Sequence, residues 1–225
     1  MTDTAAPAVA DTAVVTDAVV PDTARETMLA DLTAVLGDAI VGSHIIPGRD
    51  LWVRVANESW VAAGRAARDV LGCTFFSFLS GLDWMPSPFG KSEDDPTAEP
   101  VVRDLTIKQG YAGGESRMQV FARLVNPDTK IAITIKADVA DDDPRIGSWV
   151  PTFAGANWHE RECWEMYGIV FNGHGDLRKL YLPGDFEGFP LRKDFPLVAR
   201  IVKPWPGLVD VEPMPGGGAD EEESE

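Results

Sequence analysis

The residues with the greatest chemical potential lie together in one short segment. The stretch "NWHERECWEMYG", residues 157–168, contains a histidine, three glutamates, an arginine and a cysteine. His159 and Glu160 begin like the zinc-protease motif H-E-x-x-H, in which two histidines one helical turn apart bind the metal. Cys163 stands where the second histidine would be, and two ligands fall short of the three or four that zinc takes. The spacing therefore disfavours a metal site, and a stand-alone metal hydrolase using His159, Glu160 and His174 is the weaker alternative.

The charges of this segment fall on two sides of a predicted helix over 157–167. Helical spacing places Glu160 on one face, and Arg161, Glu162 and Glu165 together on another. A solvated charged face is one interpretation. Four large side chains leave little of this helix free for water: Trp158, Trp164, Met166 and Tyr167. A charge that is partly buried needs a partner, because an isolated buried ion costs several kcal/mol. The expected counter-ions are four cations farther along the chain: Arg178, Lys179, Arg192 and Lys193.

A second segment, "NGHGDLRKL" at residues 172–180, places a histidine between two glycines. A tight loop of this kind could present the His174 imidazole as a catalytic base. No nucleophile or carboxylate stands at a spacing that would complete such a site. We therefore favour a structural histidine that hydrogen-bonds its own turn.

A third segment, "EGFPLRKDFPL" at residues 187–197, contains two prolines that favour extended backbone just before them. An Arg-Lys-Asp triplet, residues 192–194, lies between these prolines. We interpret this segment as a docking strap rather than an ordinary loop. Nucleotide binding receives no support, because "GGESR" at 113–117 has neither the G-x-G-x-x-G nor the P-loop spacing.

The composition of the chain disfavours several classes of function. The formal net charge is -16, which disfavours direct binding to nucleic acid or to anionic membranes. The two cysteines cannot by themselves hold an iron–sulfur cluster, which usually takes four. The first residues lack the basic region of a secretory signal, and no run approaches the ~18 apolar residues of a membrane span. We expect a soluble, cytoplasmic chain.

Hydrophobic periodicity over residues 22–168 predicts an α+β domain with helices on one face of a small mixed or antiparallel sheet. A capping box at Thr23 and Glu26 would begin the first helix, and Gly37 would end it. Asn57 would cap a second helix. The other predicted elements are a strand at 51–56, a central strand at 73–79, a hairpin at 116–137 and the helix that ends at Gly168.

The rest of the chain is predicted to be irregular. Residues 1–21 are a low-complexity arm and residues 216–225 an acidic terminus, both expected to be disordered, and residues 86–100 are expected to form an exposed insertion. Residues 169–215 are rich in proline and glycine but also carry many large apolar side chains. A structureless tail of this length is unusual within one domain. We therefore expect the tail to lie on another protein.

Taken in order, these three segments resemble the thirty-kilodalton subunit, also called the C subunit, of the proton-translocating NADH-quinone oxidoreductase (respiratory complex I). The family signature is matched at Glu160, Arg161, Glu162, Glu165, Met166, Tyr167, His174, Arg178 and Leu180. Its typical continuation is present as "GFPLRKDFP", which contains Pro190, Leu191, Arg192, Lys193, Asp194 and Pro196. Two positions depart from the pattern: Glu165 stands where aspartate is commoner, and Gly175 where the family usually has proline.

The resemblance implies a scaffold subunit of the peripheral arm that performs no bond chemistry and holds no cofactor. In such a complex FMN, iron–sulfur clusters and quinone belong to partner subunits. The implied neighbours are the D subunit, over which the tail would wrap, and the B and I subunits. The implied location is the cytoplasmic side of the inner membrane, with membrane association only through the complex. The alternative is the equivalent subunit of a membrane-bound hydrogenase or of an F420- or ferredoxin-linked oxidoreductase.

Overall fold

The computed structural model describes residues 21–88 and 102–196. The helices are α1 (Thr23–Leu36), α2 (Trp60–Asp69) and α3 (Ala156–Tyr167). The strands are β1 (Ile40–Ile46), β2 (Asp50–Val55), β3 (Phe75–Asp83), β4 (Met118–Asn126), β5 (Ile131–Val139), β6 (Arg145–Gly147) and β7 (Val170–Asn172). The predicted α+β class is confirmed. Residues 1–20 of the predicted arm, most of the predicted insertion and the chain after 196 lie outside the described residues.

Five strands form one mixed sheet in the order β1-β2-β5-β4-β3. The predicted hairpin is confirmed as β4 and β5, which pair antiparallel from Met118 opposite Val139 to Asn126 opposite Ile131. The β2–β5 pair is parallel, whereas β1–β2 and β3–β4 are antiparallel. The short strands β6 and β7 pair with each other in a second, two-stranded sheet.

All three helices pack on one face of the five-stranded sheet, as predicted. Alternate residues of the central strands point into this core, among them Val53, Val120 and Ile135, each fully buried. The helices contribute Leu32 and Trp60 among others to the same hydrophobic cluster. Burying one such large side chain stabilises the fold by about 1.5–3 kcal/mol. The core therefore fixes α3 over β3.

The opposite face of the sheet is polar and is crossed by residues 109–116. Arg54 Nε donates to the carbonyl of Ala112, and Gln119 Nε2 donates to the carbonyl of Gly113. Lys136 is 1% exposed in this layer, and its Nζ lies 3.2 Å from Gln119 Oε1. Burial lowers the pKa of Lys136 to about 8. This face thus contains a buried amine with one described hydrogen-bond acceptor.

Two predicted helix caps need correction. Asp22, not Thr23, caps α1: its carboxylate accepts the backbone N–H of Arg25 at 3.2 Å. Asn57 begins a 3₁₀ turn, Asn57–Ser59, ahead of α2. Its side chain donates instead to the carbonyls of Asp138 and Arg145. The side chain of Asn57 therefore ties the end of β5 to β6, a contact that local spacing cannot show.

The prediction of a central strand at 73–79 is also wrong. The strand there is β3, at the edge of the sheet, and Phe75 is 59% exposed. The run is apolar because contacts cover both of its faces: Phe76 meets Phe153 on the helix side, and Phe78 meets Phe121 on the other. No sequence pattern predicts β1, β6 or β7, which lack alternation or span three residues.

The tail beyond α3 lies against its own domain as far as Pro196. After β7, residues 173–196 are irregular apart from single turns, as predicted. The backbone N–H of Leu191 donates to the carbonyl of Met166, and the Phe189 ring lies against Gly168. Residues 169–196 therefore contact their own domain, which the sequence did not predict, while the division of the chain at residue 168 stays a prediction.

Candidate functional site

The charged segment forms α3, and Glu165 is the residue that fixes the tail. Its carboxylate accepts three consecutive backbone N–H groups: from Leu180 at 2.8 Å, from Tyr181 at 3.0 Å and from Leu182 at 2.6 Å. Burial would raise the pKa of Glu165, but these donors outweigh it and hold the pKa below its ordinary value. One ionised carboxylate thus replaces the backbone partners that a strand or helix would have supplied.

Two cations hold the carbonyls of the same stretch. Arg161 is 7% exposed, and its guanidinium donates to the carbonyls of Arg178 at 3.0 Å and Lys179 at 3.2 Å. The Lys179 ammonium donates to three carbonyls of the next turn, those of Pro183, Gly184 and Phe186. Charged donors make the stronger protein hydrogen bonds. The tail backbone between 178 and 186 is therefore held by side-chain charges.

Glu160 faces the opposite way, into the core. It is fully buried, and its carboxylate accepts the Ser148 hydroxyl and the Trp149 backbone N–H, both at 2.6 Å. Burial raises the pKa of Glu160 to about 7, against the lowering effect of these two donors. Glu160 therefore fastens α3 to the loop after β6.

The predicted pairing of these charges with tail cations is wrong in its details. Glu165 and Arg161 bind tail backbone, not tail side chains. The Arg178 guanidinium instead pairs with Asp176 at 2.9 Å, and that of Arg192 lies 3.8 Å from Asp194. Side-chain spacing could not reveal this, because every residue other than proline carries the same backbone donor and acceptor.

His174 has the structural role that the sequence favours. Its Nδ1 accepts the backbone N–H of Asp176 at 3.0 Å, and its Nε2 lies 3.2 Å from the carbonyl of Asn157. These contacts fit a neutral ring with its hydrogen on Nε2. The imidazole joins the loop after β7 to the start of α3.

A second anchor for the tail was missed at the sequence level. Asp83, at the end of β3, is 7% exposed and accepts Arg117 Nε at 2.8 Å and the backbone N–H of Lys193 at 2.8 Å. Arg117 also bonds Asp194 at 3.0 Å. Burial opposes ionisation of Asp83, but Arg117 and the backbone donors hold its pKa below the ordinary value. The sequence did contain one signal for this anchor, because Asp83 is an acidic residue at a core-facing position of an apolar strand.

The strap "GFPLRKDFP" lies at this site, with its residues in different environments. Arg192 lies 5.7 Å from the centroid of the Phe189 ring, and the Phe195 ring stacks on that of Phe186 at 5.9 Å. Pro190 is half-buried, whereas Lys193 and Pro196 are exposed. Leu191 keeps 47% of its surface exposed. The strap therefore has one side on the domain and one side free.

Metal and thiol chemistry find no support in the described ranges. Among residues 21–88 and 102–196, no group of three or more metal-ligand side chains could hold an ion. Cys73 and Cys163 are buried and unpaired. Burial raises the pKa of Cys73 to about 11 and that of Cys163 well above its ordinary value. Both thiols therefore stay neutral and poorly nucleophilic.

The outward side of α3 and the tail carries large exposed apolar groups. Trp158 is 67% exposed, Tyr181 60% and Phe189 37%. They belong to segments that the buried charges hold in place. Rigidly held aromatic side chains on a surface are typical of protein–protein contacts.

Comparison with known proteins shows the family of this chain. The family model described as "Respiratory-chain NADH dehydrogenase, 30 Kd subunit" matches residues 53–200. The chain belongs to this family. It is 36% identical over 178 residues to the C subunit of the NADH-quinone oxidoreductase of Roseiflexus castenholzii, covering 78% of this chain and 86% of the relative. With the corresponding C subunit of Brucella abortus (strain 2308) it shares 35% over 168 residues, covering 74% of this chain and 69% of that one.

Solved structures extend the comparison to the fold of this family member. A chain of an archaeal membrane-bound sulfane sulfur reductase matches with a TM-score of 0.54 at 16% identity, covering 82% of this chain and 96% of that one. A trypsin-resistant fragment of Nqo5 aligns with a TM-score of 0.48 at 24% identity, over 68% of this chain and 98% of the fragment. Within the part of the family member that the structure describes, no helix has the length and apolarity needed to cross a bilayer.

Proposed function

We propose that this chain is the C subunit of an NADH-quinone oxidoreductase and serves there as a scaffold without redox chemistry of its own. The complex would carry electrons from NADH to quinone, coupled to proton translocation. FMN, iron–sulfur clusters and quinone would be held by other subunits. For the clusters this agrees with the cysteine count, because two neutral, buried cysteines fall short of the four ligands that a cluster usually takes.

The observation that carries this proposal is that the charged residues of the signature contact and position other parts of their own domain. Arg161 and Glu165 hold tail backbone, and Glu160 and His174 brace α3. Each of these four groups is occupied in holding either the tail or α3. A rigid tail with exposed aromatic residues is a surface for binding another protein, and preformed surfaces lose less entropy on binding.

The partner that the family resemblance favours is the D subunit, with the B and I subunits nearby in the peripheral arm. The chain would lie on the cytoplasmic side of the inner membrane and reach the membrane only through these partners. Its net charge of -16 agrees with a protein rather than a lipid or nucleic acid partner.

Affinity purification of the tagged chain from its own cell tests this function. We expect the D, B and I subunits to co-purify, and the purified complex to oxidise NADH with a quinone acceptor while the isolated chain does not. Co-purification with hydrogenase or F420-linked subunits, without NADH oxidation, would contradict the assignment. Turnover of NADH or any quinone by the chain alone would do so as well.

A further inference from the structure

One charged residue of the signature, Glu162, forms no ion pair within the part of the chain that the structure describes. Glu162 is half-buried on the outward side of α3, and the one hydrogen bond described for it comes from the Tyr181 hydroxyl, 2.9 Å from Oε2. No cation within residues 21–88 and 102–196 lies at ion-pair distance from this carboxylate. Oε1 therefore has no protein partner in the described part of the chain.

One aromatic side chain contacts this carboxylate, and a second lies on the same face of α3. Trp158 lies one helical turn before Glu162, a spacing that puts the two Cβ atoms about 6 Å apart on one face. Tyr181 reaches Glu162 from the tail. Both rings are mostly exposed, at 67% for Trp158 and 60% for Tyr181. A carboxylate and two accessible aromatic side chains therefore lie together on this surface.

This combination suits a cation better than an apolar group. A guanidinium or ammonium can stack on indole or phenol rings while it pairs with the carboxylate. An apolar side chain placed here would cover Glu162 without pairing it, and an unpaired buried charge is costly. Arginine fits best, because its planar fork can both stack and form two hydrogen bonds. The negative charge of the whole chain would also speed the approach of a basic surface.

We propose that Glu162, flanked by Trp158 and Tyr181, is the binding site for a basic side chain, best an arginine, on an adjoining protein subunit. This rests on the proposed function, since it needs a partner subunit. A groove of about 330 Å³ beside the site leaves room for the residues next to that side chain. Its lining residues are Ala154, Gly155, Asn157, Trp158 and His159.

The test uses the assembled complex, captured through a tag on this chain and washed at rising NaCl concentration. We expect Glu162→Gln to weaken retention of the partner about tenfold at low salt, and to make retention less sensitive to salt, because one interface ion pair is lost. Glu26→Gln is the matched control. Glu26 is exposed on α1, which packs at the β1 side of the sheet, whereas α3 packs on β3.

The Tyr181→Phe variant distinguishes a role of Glu162 in binding a partner from a role in holding the tail of its own chain. It removes the hydroxyl that bonds Glu162 but keeps the ring and the carboxylate, so we expect retention like that of the unchanged chain. If Tyr181→Phe weakens retention as much as Glu162→Gln, or if Glu162→Gln keeps the original salt dependence, the proposal is overturned. An unchanged chain that captures no partner at all would instead contradict the proposed function.

A second measurement does not depend on Glu162→Gln folding normally. A photoreactive phenylalanine derivative in place of Trp158, whose side chain is exposed, can be cross-linked in the assembled complex. Mass spectrometry should then find the attachment point next to an arginine or lysine of one partner subunit. An attachment point with no basic residue beside it would overturn the proposal.

Discussion

At the residue scale, single charged side chains pair the backbone N–H and carbonyl groups of the tail, which a helix or strand would otherwise pair with other backbone groups. Glu165 accepts three successive backbone amides, and Arg161 and Lys179 bind five carbonyls between them. Each of these side chains is fixed to a helix or to the tail turn itself. The conformation of residues 178–186 therefore depends on very few groups.

Replacing Glu165 by glutamine should loosen the tail without unfolding the domain. The amide keeps one acceptor oxygen but turns an NH2 group toward backbone donors, and hydrogen bonds to a charged group contribute about 1.5–3 kcal/mol each. We expect faster hydrogen exchange at the amides of 180–182 and new tryptic cleavage after Lys179. The control is Asp185→Asn, an exposed acid of the same segment. Unchanged exchange at 180–182 would show that Glu165 does not hold the tail.

The buried carboxyl of Glu160 should make stability depend on pH. Its folded-state pKa of about 7 lies above the unfolded value of about 4.5, so folding favours the protonated form. This contribution is complete below the unfolded pKa and is lost as pH rises through 7. In urea unfolding, the stability of Glu160→Gln relative to the unchanged chain should therefore rise between pH 5 and pH 8, by up to about 3 kcal/mol. A constant difference would refute the raised pKa.

At the scale of elements, the sheet has two unlike faces. The helix side is apolar, while the other side holds Arg54, Gln119, Lys136 and Asp138 under residues 109–116. The Asp138 carboxylate accepts Arg54 Nη1 at 2.6 Å and Gln119 Nε2 at 2.6 Å. Lys136 has no such carboxylate contact among the described residues, only Gln119 Oε1 and, at 5.7 Å, the Trp84 ring. The cost of burying this ammonium is therefore only partly offset.

Lys136 should give the sheet an alkaline pH dependence of opposite sign. Its folded-state pKa of about 8 lies below the ordinary value of 10.5, so the unfolded chain binds more protons between these values. Stability should therefore be highest above pH 10.5 and should decrease as pH falls from 10.5 to 8. Below pH 8 both states are protonated, and the contribution of Lys136 no longer changes. Lys136→Met, which keeps most of the side-chain volume, should remove this slope in chemical unfolding. Control measurements on Lys108→Met, at a lysine outside the buried layer of the sheet, should leave the slope unchanged.

At the scale of the whole molecule, the tail as far as Pro196 is part of the domain before any partner is present. Two anchors hold it, one at Glu165 and one at Asp83 and Arg117. The prediction that the tail lies on another protein therefore concerns the outer side of residues 169–196, since their inner side contacts their own domain. What a partner would cover is the outer side of the tail, where Tyr181 and Leu191 are exposed.

Hydrogen exchange in the free chain and in the assembled complex should distinguish the amides held by their own domain from the groups that a partner covers. The amides of 180–182 and of Lys193 should be protected in both, because side chains of the same domain hold them. The indole N–H of Trp158 should become protected only in the complex. A free chain in which residues 180–193 exchange at the rate of unfolded peptide would contradict the preformed tail.

The sequence by itself determined the class of fold, the β4–β5 hairpin, the extent of α3 and the family. These depend on local periodicity, turn residues and motif spacing, which one chain carries without a partner. Only the tertiary structure decided that β3 lies at an edge, that Asp83 and Arg117 anchor the strap, and that Arg161 and Glu165 bind backbone. The physical reason is that a backbone donor or acceptor has no residue type. Which charged side chain reaches it depends on how distant segments pack, not on their spacing along the chain.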